Sequence, residues 1–287
     1  MFKLLKLLSF LLGHLPVRVV RPLGAIFGAL AYRLSGRHRK VALSNLERAL
    51  GGAEGERKRI ARGVFRNLAT MFFEFTRLPW LDRGDIEKMV EFSGLENFDR
   101  ALSRGRGVIL LTAHFGNWEL LAAALGHRGY SLDIVVRKID NPAFERFVTW
   151  ARSSSGNRMI YKRRAMRKLL KALASNAIVT ILVDQNVAAS EGVFVDFFGV
   201  PACTNKGPAH LAQASGAAVV PAFICRKGRG HVLEVMEELS LSNTGDRERD
   251  AIENTTRFTR VVEEMIRKHP QEWFWVHRRW KTRPAGE

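Results

Sequence analysis

Residues 112–120 read TAHFGNWEL, and within them His114 and Glu119 stand five positions apart around a short turn. An imidazole next to a carboxylate is the usual composition of a general base. The carboxylate accepts from one ring nitrogen, fixes the tautomer and stabilises the imidazolium, leaving the other nitrogen free to take a proton. Such a base typically contributes about 10²- to 10⁴-fold in rate. Gly116 permits a tight turn, and Asn117 is a good helix N-cap. Glu119 then falls in a first helical turn, where exposed backbone N–H groups favour its charge. No Ser in a nucleophile elbow and no Cys adjoins the pair, so a covalent acyl-enzyme is not indicated. The chemistry that remains is direct attack of a substrate hydroxyl on an activated acyl group. On these residues alone, a capped helix with a satisfied histidine is an equally open reading.

Four short runs rich in Val and Ile must position the motif: GVILLTA (107–113), LDIVV (132–136), AIVTILVD (177–184) and AAVVPAFI (217–224). Helical patterns lie between them, near 117–128, 143–154, 163–175 and 205–215. Strands alternating with helices predict an α/β fold with a mainly parallel central sheet flanked by helices. His114 follows the first of these strands, and ligands in open α/β sheets collect beyond the carboxyl ends of the strands. Apolar positions at Ile60, Val64, Leu68, Met71, Phe72 and Phe75 keep helical spacing over 56–78, and Pro79 closes that helix. A further helix is expected over 95–103, a strand over 232–239 and a long helix over 249–268.

The chain of 287 residues carries 46 Lys and Arg against 28 Asp and Glu, a net charge of +18. Nucleic acid, anionic lipid and an acidic protein are the partners such a field attracts. Cys203 and Cys225 fit neither a disulfide framework nor a zinc site and read as reduced core residues in a cytosolic compartment. The first 46 residues hold eight of the cations, no acid, and two apolar runs, LLKLLSFLLGHL and PLGAIFGALAY. Each run is shorter than the about 20 residues a membrane span needs. The pattern suits amphipathic helices lying in a membrane interface, with Arg33, Arg37, Arg39 and Lys40 on the cytoplasmic side. A cleaved signal peptide and a soluble amphipathic helix are the competing readings. The expected organisation is a membrane-associating segment over 1–46 and a catalytic domain over 47–287.

His114 and Glu119 also match the H-x4-D/E signature of the glycerolipid and lysophospholipid acyltransferase superfamily. The surrounding chain resembles one branch of it, the bacterial acyltransferases that add late acyl chains in lipid A biosynthesis. The resemblance rests on six blocks: GRGVILLTAHFGNWEL, VVRKIDNP, LVDQN, VDFFGVPACTNKGPAHLA, SGAAVVPAFICR and QEWFWVHRRWKTRP. It implies His114 as the base that deprotonates the acceptor hydroxyl and Glu119 as its orienting partner. It implies acyl carrier protein as donor and a lipid A precursor as acceptor. The alternatives are another glycolipid or a lysophospholipid acylated from acyl-CoA, and, in a different class, a non-catalytic basic protein that binds membrane or nucleic acid. No metal or cofactor is expected. Arg137, Arg152 and Arg164 fall where the family keeps basic side chains for substrate. Asp184 and Gln185 match its D-Q pair, which organises the edge of the substrate site. The superfamily's E-G-T-R phosphate block is absent, with VDFFGVPACT in its place. Phe194, Phe197 and Phe198 read as core or membrane-facing aromatics, and Pro221 as structural. The tail FWVHRRWKTR could stack on RNA bases, but the family resemblance favours an interfacial belt with His277 on the rim, so no nucleic acid is expected. The implied location is the cytoplasmic face of the inner membrane.

Overall fold

Among the described residues, nine strands follow one another: β1 (Val90–Ser93), β2 (Val108–Thr112), β3 (Leu132–Val136), β4 (Arg158–Tyr161), β5 (Ile178–Leu182), β6 (Gly192–Phe197), β7 (Val200–Asn205), β8 (Ala218–Lys227) and β9 (Gly230–Val235). In this computed structural model, which describes every residue except Arg163, Arg164, Ala285 and Glu287, seven of them form one sheet in the order β1-β9-β8-β2-β5-β3-β4. All neighbouring pairs are parallel except β8 with β9. The expected α/β class with a mostly parallel sheet is therefore what forms. The remaining two strands, β6 and β7, make a separate hairpin.

β2 lies at the centre and is buried at all of its residues, as a strand covered on both faces must be. Its side chains alternate between two cores. Ile109 and Leu111 join Leu169, Leu211 and Phe258 on one face. Val108 and Leu110 join Phe98, Leu121 and Leu125 on the other. Pro221 sits inside β8 at the last residue registered with β2, where a missing N–H costs no ladder bond to β9, whose pairing starts at Ala222.

The helices are α1 (Phe2–Gly13), α2 (Val17–Leu34), α3 (Gly36–Leu50), α4 (Glu54–Phe75), α5 (Arg83–Met89), α6 (Leu95–Leu102), α7 (Trp118–His127), α8 (Pro142–Ser153), α9 (Met166–Ala174), α10 (Gly207–Ser215) and α11 (Arg247–Lys268). The expected helices and strands are found within a few residues of their sequence boundaries. Elements without a sequence expectation are α3 and α5, the four-residue strands β1 and β4, and the β6–β7 hairpin. The hairpin turns through Phe198 and Gly199, both at positive φ (59° and 76°), a twist-matched turn that glycine signals only at its second position.

The C-terminal tail departs from the interfacial belt expected of it. Trp273, Trp275, Arg279 and Trp280 are buried, and Phe197 packs on both Trp273 and Trp280. The indoles fill the space between the hairpin and the sheet, so they serve the core instead of a headgroup layer. Phe197 and Phe198 are likewise core residues. Both cysteines are free, Cys203 buried and Cys225 half-buried, with burial pushing the Cys225 thiol up to about 12.

α2 lies against α4 through Gly24 and Gly28. A Cβ on Gly28 would come within 2.5 Å of the Arg66 Cα, and one on Gly24 within 2.7 Å of the Thr70 Cα. α1 is held by Ser9 Oγ, which donates to the Thr76 carbonyl at 2.6 Å, and by the Trp80 indole donating to Ser9 at 3.0 Å. No helix among the described residues is long and apolar enough to cross a membrane. Gly28→Leu should force α2 off α4 at a cost of about 1–3 kcal/mol. Urea unfolding is expected to show the lowered stability, and limited proteolysis a new cleavage between α2 and α3.

Candidate active site

β2 and β5 run in parallel with Thr112 beside Leu182, so two residues further on each strand His114 and Asp184 meet. The Asp184 carboxylate accepts from His114 Nδ1 at 2.8 Å and from the His114 backbone N–H at 3.0 Å. The Trp273 indole donates to the same carboxylate at 2.8 Å. Burial by itself would raise the Asp184 carboxyl, but the facing imidazole and these three hydrogen bonds hold it below the usual carboxylate range. A permanent acceptor at Nδ1 places the ring proton there and leaves Nε2 with its lone pair. The Gln185 amide nitrogen sits 3.3 Å from Nε2. Trp118 and Phe274 flank the ring with centroids 5.2 and 5.9 Å away.

Glu119, the expected orienting partner, is turned elsewhere. It opens α7 as foreseen, after Asn117 caps the helix by accepting from Leu120 N–H at 3.0 Å. Its carboxylate is gripped by the Arg152 guanidinium of α8 in a fork, at 2.9 Å from Nε and 2.6 Å from Nη2, and it makes no hydrogen bond to His114. Burial would lower the Arg152 pKa, but Glu119's charge turns the shift upward. The reason is directional. The first turn of α7 faces α8, while the strand ends face one another. Arg137 stands exposed on the cleft wall. Arg164 lies outside the described residues. His277 is half-buried beside the site, where its Nε2 accepts from Asn186 N–H at 3.0 Å and burial pushes its pKa down.

The turn between His114 and α7 is anchored from behind. Gly116 at φ 60° leaves no room for a side chain, since a Cβ would stand 1.7 Å from the Ile224 carbonyl oxygen. Its N–H donates to the Glu272 carbonyl at 2.9 Å. The Asn117 amide donates to Glu74 Oε2 at 2.8 Å, and Glu74 in turn takes a fork from Arg226 at 2.7 Å on each oxygen. Burial raises the Glu74 carboxyl in isolation, yet Arg226 draws it below its ordinary value. His231, buried alongside, accepts from Arg226 at 3.2 Å, and burial pushes it down to about 4. Neither Glu74 nor Arg226 was singled out in the sequence, because a lone Glu within the apolar stripe of α4 pairs with a residue 152 positions away.

A cleft of about 460 Å³ opens at these strand ends, bounded by His114, Trp118, Glu119, Arg137, Arg152 and Gln185 at its polar end. Ile134, Val136, Ile139, Ile181 and Val183 form its apolar walls. An imidazole with its Nε2 lone pair presented to a hydrocarbon-lined cleft has the chemistry to take a proton from a hydroxyl bound there.

Residues 3–282 match the model of the family described as bacterial lipid A biosynthesis acyltransferase, and the chain belongs to that family. It is 32% identical to the lipid A biosynthesis lauroyltransferase of Escherichia coli (strain K12), over 96% of this chain and 90% of that protein. It is 30% identical to the lipid A biosynthesis palmitoleoyltransferase of the same strain, over 96% and 89%. A phosphatidylinositol mannoside acyltransferase of Mycobacterium tuberculosis (strain CDC 1551 / Oshkosh) is 27% identical over 72% of this chain and 66% of its own length. The protein is an acyltransferase.

His231 gives the scaffold a pH dependence. Its folded pKa of about 4 lies below the unfolded value near 6.5, so between the two the unfolded chain binds the extra proton. Stability should be full above pH 6.5 and fall as the pH drops towards 4, by on the order of 3 kcal/mol. Urea unfolding at pH 7, 5.5 and 4.5 should show this slope, and His231→Gln should flatten it.

Proposed function

We propose that the protein transfers a fatty acyl group from an acyl thioester, carried by acyl carrier protein, to a hydroxyl of a lipid A precursor. The single observation that carries this reading is the His114–Asp184 hydrogen bond at 2.8 Å on the wall of an apolar cleft. His114 Nε2 takes the proton of the acceptor hydroxyl as its oxygen attacks the thioester carbonyl. The tetrahedral oxyanion then collapses, the carbon–sulfur bond breaks, and the departing thiolate recovers the proton from the imidazolium. Asp184, in place of Glu119, holds the tautomer and stabilises the imidazolium. The Gln185 amide, displaced from Nε2 by the incoming hydroxyl, is free to turn to the oxyanion. The Glu119–Arg152 pair braces α7 against α8 at the cleft, and Arg137, exposed on the cleft wall, supplies a cation for acceptor phosphate. Relatives named as lauroyl- and palmitoleoyltransferases of lipid A support the acceptor assignment. The phosphatidylinositol mannoside acyltransferase supports a related glycolipid acceptor as the second reading.

The segment 1–46 serves as the membrane-associating part and 47–287 as the catalytic part. Leu4, Leu7, Leu8 and Leu11 are exposed at helical spacing on α1, and Ile26, Phe27, Leu30 and Leu34 on α2. An apolar face of this kind, with Arg33, Arg37 and Lys40 exposed at its end, suits an interfacial helix pair on the cytoplasmic side of the inner membrane.

His114→Ala and Asp184→Asn should each lower acyl transfer by about 10²- to 10⁴-fold. Melting behaviour should be unchanged for His114→Ala, with a lowered melting temperature for Asp184→Asn, whose amide cannot accept from all three donors. Mass spectrometry of lipid A from cells with and without the gene should show the loss of one acyl group. An unchanged profile would move the acceptor to another glycolipid. Replacing Leu4, Leu8, Ile26 and Leu30 by Asp should release the protein from anionic vesicles in co-sedimentation, since each buried apolar side chain contributes about 1.5–3 kcal/mol.

A further inference from the structure

α9 buries Leu169 and Leu173 against β5 and turns Arg167, Lys168 and Lys171 to solvent. The spacing i, i+1, i+4 puts the three cations on one face of a two-turn helix. No carboxylate among the described residues forms an ion pair with any of them. The nearby acids are already matched, Glu191 by Lys162 at 2.7 Å and Glu248 by Lys206 at 2.8 Å. Three uncompensated charges so close together repel one another, and an anionic partner relieves that repulsion.

The same helix forms the lip of a second cavity of about 410 Å³, lined by its Met166 and Leu169 together with Pro208 and Leu211. Val135, Lys162, Ile181 and Asn205 border both this cavity and the catalytic cleft, so the two spaces are contiguous. The other flank of the cleft is formed by α8, through Arg152. α8 packs on α1, where Lys6 stands 4.4 Å from the Trp150 ring. The route to His114 thus has an apolar flank on the side of the exposed leucines of α1 and a cationic flank at α9.

We propose that the α9 face is the docking surface for an acidic carrier protein that delivers the acyl thioester, which enters the catalytic cleft through the adjoining apolar cavity. This assignment rests on the acyl-thioester reading of the site. The membrane-facing helices meet the lipid acceptor from the opposite flank, so both substrates can be held at once. The cations steer the carrier, and the mostly apolar cavity receives the uncharged acyl thioester it bears.

The test compares an acidic acyl carrier protein loaded with a fatty acyl chain against the same chain on N-acetylcysteamine, an uncharged thioester. Arg167, Lys168 and Lys171 are replaced together by Glu in one variant and by Ala in a second, each checked by its melting curve. The Glu variant should raise KM for the carrier-borne donor by about tenfold or more, the Ala variant by less, with kcat and turnover of the small thioester unchanged. The wild-type KM for the carrier should rise with salt, and that of the Glu variant should lose this dependence. An unchanged carrier KM in the Glu variant would overturn the assignment, as would loss of vesicle binding with the carrier KM intact, which would give the face to anionic lipid. Equal use of both donors by the wild type would overturn the carrier itself. Failure of the underlying acyl-transfer reading looks different, since His114→Ala would then leave turnover of both donors intact.

Discussion

The hydrogen bond between His114 and Asp184 depends on two adjacent parallel strands ending at the same height. A shift of register by one residue between β2 and β5 would turn one of the two side chains to the opposite face of the sheet. The register is protected by burial, since β2 is sealed on both sides and its side chains are committed to two different cores. Much of the molecule can be understood as holding those two strand ends level. Trp273 occupies the remaining oxygen of Asp184, and the Phe274 N–H donates to the His114 carbonyl at 3.0 Å, so the tail ties both strand ends from outside the sheet.

Behind the turn stands a second buried charge arrangement, Glu74 with Arg226. Buried ion pairs of this sort contribute little net stability against an apolar alternative, because desolvation offsets the attraction, but they penalise misplacement heavily. Here the geometry they enforce is that of Asn117, whose side chain both caps α7 and reaches Glu74. The helix that carries Glu74 is also the one on which α2 lies through two glycines. The apolar front of the molecule and the turn that carries His114 therefore share a common beam.

The sheet was legible in the sequence because its central strands are continuous apolar runs of the length a doubly covered strand requires. β3 was delimited to the residue. β1 and β4 escaped because they are edge strands of four residues, exposed at two positions each, and carry no such run. Of the site, His114 was legible through its place at a strand end, and Asp184 and Gln185 through family likeness. The identity of the carboxylate was misread for a physical reason. Spacing along the chain favours Glu119, five residues away, whereas the contact is made across the sheet by a residue 70 positions on, and only pairing register could reveal it. The tail was misread because Trp mixed with Arg has the same composition at a membrane interface as in a core. What distinguishes them is that Arg279 is fully enclosed, with its Nη1 donating to the Cys203 carbonyl at 2.9 Å.

Trp273 carries a consequence for the order in which the site is assembled. The histidine and its carboxylate stand on neighbouring strands, whereas the indole that shares the carboxylate comes from a segment 89 positions beyond Asp184. Pairing of β2 with β5 alone therefore leaves one acceptor position of Asp184 to water, and the pair is sealed from solvent only once that distant segment docks.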